Sequence, residues 1–94
     1  MLAELDPLLH SQLRLGVMSI LMSVDSAEFT FLEEKTNATA GNLSVQLDKL
    51  SEAGYITIEK SFRGKKPLTT CKITRKGMKA FEEYVDALKK YIQP

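Results

Sequence analysis

Apolar residues recur at helical spacing at Leu9, Leu13, Val17, Ile20, Leu21 and Val24. Asp6 before them can cap a helix, and Pro7 suits a first helical turn, where its missing N–H is not needed. This pattern predicts a first helix over 7–24. Leu8, Leu15, Met18 and Met22 widen its stripe beyond one face, so a partner chain is expected to cover part of it. Gly16 inside the helix would permit a close backbone approach.

Glu28-Phe-Thr-Phe-Leu-Glu33 follows, with Thr30 and Glu33 at capping-box spacing. A short strand leading into a second helix over 31–37 is expected, with Phe29 and Phe31 as core anchors beside the cap. Thr39 caps a third helix, over 40–53, that stops at Gly54, the residue type favoured just past a helix end. Leu43, Leu47 and Leu50 form its apolar stripe. The opposite face reads Gly41, Asn42, Val45, Gln46 and Lys49, bordered by Ser44 and Asp48.

The period then changes to two. Residues 55–60 and 68–73 alternate as strands, with Ile56, Ile58, Cys71 and Ile73 inward, so that 55–73 forms a hairpin around a loop at 61–67. Thr74 caps a last helix over 75–92, whose stripe is Phe81, Val85, Leu88 and Ile92, begun by Met78 and flanked by Tyr84 and Tyr91.

At 94 residues the chain suits one domain, and 44% apolar with 27% charged residues is the composition of a folded one. The net charge of +1 conceals an asymmetry. Residues 1–59 carry three basic and nine acidic side chains, whereas residues 60–79 carry eight basic ones and no acidic one. A charge run alone marks a solvated face as readily as a binding surface, but a local positive field is what attracts phosphates.

Other chemistry is sparse. Cys71, the single cysteine, reads as a small core residue rather than a redox switch, and His10, the single histidine, as a surface residue without metal-ligand neighbours. No metal or cofactor is expected. No nucleophile–base pair, phosphate-cradling glycine loop or separated carboxylate pair stands out, so neither is an enzyme. The N-terminus carries acidic residues ahead of its apolar run, unlike a secretory signal, and no run approaches the roughly 20 apolar residues of a membrane span. A cytoplasmic protein without membrane contact is expected.

The predicted class is α+β, mostly α. Its order is helix, short strand, helix, helix, β-hairpin, C-terminal helix: a helix-turn-helix at 31–37 and 40–53 with a basic wing, in one domain over 1–94. Such a unit can place its third helix in a major groove and its hairpin on the phosphates. Phe29-Thr-Phe-Leu32, the block from Thr39 to Tyr55 with its leucine stripe and Glu-Ala-Gly-Tyr ending, and Ile73-Thr-Arg-Lys-Gly77 together resemble compact winged-helix regulators related to the MarR and ArsR families. That resemblance implies prokaryotic transcription control, a homodimer joined through the first and last helices, a recognition helix at 40–53, and Arg63 approaching the minor groove or adjacent backbone. The paired cysteines and His/Asp clusters of metal-sensing ArsR proteins are missing, as are the longer terminal helices of full MarR proteins, and no effector is legible.

The expected DNA-facing set is Thr39, Gly41, Asn42, Ser44, Val45, Gln46, Lys49, Arg63, Lys65 and Lys66. The amides of Asn42 and Gln46, one turn apart, can each pair bidentately with an adenine edge, and Lys49 suits a phosphate. The alternative is a winged helix that docks another protein through Glu28, Glu33, Glu34 and the apolar first helix.

Overall fold

The structure, a computed structural model, describes residues 2–93, so Met1 and Pro94 of the expected 1–94 domain lie outside the described residues. Seven elements follow in order: α1 (Gln12–Met22), β1 (Ala27–Glu28), α2 (Phe29–Thr36), α3 (Ala40–Glu52), β2 (Ile56–Arg63), β3 (Lys66–Ile73) and α4 (Arg75–Ile92). The strands make one antiparallel sheet in the order β1-β3-β2.

The first helix begins later than its apolar spacing predicts. Asp6 and Pro7 open only a single turn, in which Asp6 accepts from the amides of Leu8, Leu9 and His10. Ser11, in extended conformation, then caps α1 by accepting from the Arg14 amide. Two cap residues compete for one helix, and the break between them lets Leu9 turn fully into the core. At the other end, the Ser23 amide and hydroxyl both donate to the Ile20 carbonyl and close the helix before Val24, which is exposed. A Cβ at Gly16 would meet no atom within 4 Å beyond its own turn of helix, so the close approach expected there is not made within the chain.

The capping box at Thr30 and Glu33 does not form. Ala27 and Glu28 pair with Cys71 and Thr70 of β3, and α2 starts directly at Phe29 with no side-chain cap. Tertiary pairing thus fixes the helix start, and it turns Leu32 into the core while leaving Phe31 40% exposed. Phe29 packs partly against the core, so one of the two expected phenylalanine anchors is replaced by Leu32. Asn37 ends α2 in the left-handed region (φ 56°), which a short polar side chain tolerates.

Thr39 caps α3 by accepting from the Asn42 amide, and Leu43, Leu47 and Leu50 are buried. Gly54 (φ 80°) ends the helix in a Schellman turn, with Tyr55 N–H donating to the Leu50 carbonyl and Gly54 N–H to that of Ser51. The hairpin is longer than expected. Strand pairing runs from Ile56–Ile73 out to Arg63–Lys66, leaving a two-residue turn of Gly64 and Lys65 rather than a loop over 61–67. Positive φ at Gly64 alone (63°) fits a type II′ turn.

Leu9, Met18, Leu21, Leu32, Leu43, Leu50, Ile56 and Cys71 meet in one fully buried core. Burial pushes the Cys71 thiol up to about 11, so at neutral pH it is a protonated core side chain. On α4 the inward face is Gly77, Tyr84 and Ala87, with Ala80, Phe81 and Leu88 half-buried. Met78 (39% exposed) and Ile92 (71%) of the expected stripe face outward. Three tyrosines hold the N-terminal segment in place: the Tyr55 hydroxyl donates to Asp6 (2.6 Å), Tyr84 bonds His10 Nδ1 (3.0 Å), and Tyr91 donates to the Ala3 carbonyl (2.8 Å).

Candidate nucleic-acid interface

α3 presents Gly41, Asn42, Ser44, Val45, Asp48 and Lys49 to solvent, with Thr39 exposed at its cap. Val45 is 51% exposed although the helix already buries three leucines on its other side. An apolar side chain with no core role suits a thymine methyl in a groove.

Gln46 differs from the free amide that its spacing suggests. It is half-buried on the flank of α3 nearest α1, and its Oε1 accepts from Arg14 Nη1. Its Nε2 donates to Asn42 Oδ1 at 3.0 Å. Arg14 is itself held by Nε donating to the Leu8 carbonyl at 2.6 Å. A chain of hydrogen bonds therefore runs from the N-terminal segment through α1 to the outward face of α3. Arg14 was not among the expected site residues. Its one signal in the sequence is that it is the only lysine or arginine before Lys35.

The wing carries its charge at the tip. All eight basic residues of 60–79 are exposed. Among the described residues, two of them are paired with carboxylates: Arg63 with Glu28 at 3.2 Å, and Lys79 with Glu83 at 4.0 Å. Arg63 is therefore not free in the way the sequence suggests; it bridges the wing to β1. The pair is solvent-exposed on both sides and weak enough to exchange for a phosphate. Lys65 in the turn and Lys66 beside it have no such partner among the described residues. Phe62, 72% exposed opposite Pro67, adds an aromatic face at the tip that sequence reasoning passed over. In β2 it continues the face of Ile56 and Ile58 past the end of the core, so its ring has nothing beneath it to pack on.

The two ends of the expected set are thus both exposed, on α3 and on the wing, while Gln46 is drawn back and Arg63 is paired. Among the described residues no three His, Cys, Asp or Glu side chains group as a metal site, and no helix is long and apolar enough to cross a membrane.

Residues 13–92 match the family of winged helix DNA-binding domains. The chain belongs to this family. It is also similar to an uncharacterised protein of Methanocaldococcus jannaschii, 38% identical over 76 residues that cover 81% of this chain and 83% of that one. Among solved structures, a transcriptional regulator homologue from Pyrococcus horikoshii OT3 superposes with a TM-score of 0.84 at 28% identity, over 90% of this chain and 84% of its own. A MarR-family transcriptional regulator from Silicibacter pomeroyi shares the fold at a TM-score of 0.68 and 17% identity, over 87% of this chain. This winged helix spans 54% of that regulator. The family is one of DNA-binding domains, not of enzymes, and its fold here is that of MarR-like transcription regulators.

Proposed function

We propose that this winged helix binds double-stranded DNA as a homodimer and regulates transcription. In this reading α3 enters the major groove, where Asn42, Ser44 and Val45 meet base edges and Thr39, Gly41 and Lys49 meet the backbone. The wing lies on the neighbouring backbone or minor groove through Lys65, Lys66 and Arg63, the last exchanging Glu28 for phosphate. The observation that carries the proposal is the exposed hairpin tip, where Lys65 and Lys66 have no carboxylate partner among the described residues, together with an exposed polar face on α3 in a DNA-binding fold.

The dimer reading rests on unequal apolar exposure. α1 contributes no residue to the exposed large hydrophobics, because its wide stripe packs within its own chain. α4 contributes Met78, Tyr91 and Ile92, so the last helix supplies the apolar contact and α1 is expected to be secondary to it.

Selection of bound sequences from random duplex DNA with the purified protein tests both parts. Enrichment of a palindrome is expected, since a two-fold protein selects a two-fold site. Recovery of no preferred duplex would favour the protein-docking alternative, with Phe31 and Glu34, both exposed on α2, as part of its surface.

A further inference from the structure

We infer that Arg14 sets the base preference of α3, by turning the Gln46–Asn42 amide pair into a donor head that reads the acceptor edge of guanine. The inference rests on α3 reading the major groove.

The argument turns on hydrogen-bond polarity. A guanidinium has five N–H donors and no acceptor, so only the oxygen of an amide can face it. Gln46 must therefore turn Oε1 to Arg14, which sends its Nε2 toward Asn42. A donor arriving at Asn42 obliges that residue in turn to face Gln46 with Oδ1. What remains outward is the Asn42 NH2 group, with two donors, and one further N–H of Gln46. Neither amide orientation is left to chance, because a flip of either one would set donor against donor.

The four bases answer this head differently. Guanine offers N7 and O6, both acceptors, in the major groove. Adenine offers one acceptor, N7, beside the N6 amino donor, so a bidentate contact needs an amide oxygen and an amide nitrogen together. The Asn42 oxygen is turned to Gln46, so the adenine pairing that the spacing alone suggests is disfavoured. Cytosine presents a donor, and thymine a single acceptor beside its methyl group. Arg14 itself touches no base in this account; it is a positioning residue. Its own aim is fixed by the bond to the Leu8 carbonyl, which leaves the fork one orientation.

The test is binding of the full chain to a panel of duplexes carrying each base in turn at every position of the selected site. Wild type should show one position per half-site where guanine exceeds adenine by roughly tenfold, the usual effect of a lost base contact. R14M removes the donors but keeps the length. It should bring adenine within roughly threefold of guanine at that position only, leaving other positions and the salt dependence unchanged. R14K restores a donor to the Gln46 oxygen and should keep the guanine preference. Because R14M also loses the Leu8 bond, Q46E provides a variant that keeps Arg14 paired. A glutamate has no N–H to offer Asn42, so Q46E should release the same preference. An R14M profile identical to wild type would overturn the inference, as would an equal loss on every duplex, which would make Arg14 a phosphate contact. Wild-type binding with preference elsewhere but none for guanine would overturn it while leaving the DNA reading intact. Wild-type binding without any preference would overturn both the inference and the reading of bases by α3 on which it rests.

Discussion

Gly77, in the first turn of α4, lies so close to the main-chain carbonyl of Tyr55 that a Cβ there would overlap the oxygen and sit 2.9 Å from the carbonyl carbon. The contact joins the start of α4 to the base of the hairpin, where the Thr74 amide also donates to the Tyr55 carbonyl. No flexible side chain can yield to relieve it, since the opposing atoms are backbone.

Gly77→Ala is therefore expected to cost about 1–3 kcal/mol, the range for overpacking a close-packed site. Gly16→Ala, in open space inside α1, should instead stabilise by up to about 1 kcal/mol through helix propensity. Urea denaturation of the two variants checks both signs, and a neutral Gly77→Ala would contradict the packing described.

Alkaline pH should weaken the fold. The hydrogen bond to Asp6, helped by burial, raises Tyr55 from 10.0 to about 12, and burial raises Cys71 from 9.0 to about 11. Both groups hold their protons longer folded than unfolded, so their contribution is complete below about 9. It declines as pH climbs toward about 11 for Cys71 and about 12 for Tyr55. Stability measured from pH 8 upward should fall more steeply in wild type than in Cys71→Ala, whatever the baseline cost of the missing sulfur. Equal slopes would mean that the thiol is not held protonated by the core.

Local signals were legible and long-range choices were not. Thr39, the stripe of Leu43, Leu47 and Leu50, and Gly54 belong to one helix and the residues that flank it, so their spacing carries the answer. The start of α1 is ambiguous because Asp6 and Ser11 are both good caps, and only burial of Leu9 chooses between them. The wing was misjudged because glycine and proline suggest a loop. Pro67 is tolerated in β3 because β1 reaches only Thr70 and Cys71, leaving β3 at Pro67 with a neighbour on one side alone. Of the candidate site, exposure of Val45, Lys65 and Lys66 followed from pattern, whereas the Arg14–Gln46 bond joins residues 32 apart and leaves no periodic trace.

The dimer should depend on α4. Sedimentation equilibrium at micromolar concentration is expected to give twice the chain mass. Met78→Asp or Ile92→Asp, at positions exposed in the single chain, should weaken association by at least about tenfold without unfolding it, since a desolvated charge has no partner there. A wild-type monomer would remove this part of the account.

Salt dependence of DNA affinity bears most directly on the central claim. Lys49, Lys65 and Lys66 are exposed and free of carboxylate partners among the described residues. If each neutralises one phosphate, and Arg63 another on leaving Glu28, a dimer covers about eight, and log affinity against log salt should fall with a slope of about −7. Replacing Lys65 and Lys66 together by alanine removes about four of these contacts and should flatten the slope to about −4, with base preference retained. Binding to one selected duplex across a salt series, for both proteins, gives the answer. The account predicts the shallower line for the variant; two parallel lines would mean that the wing does not touch DNA.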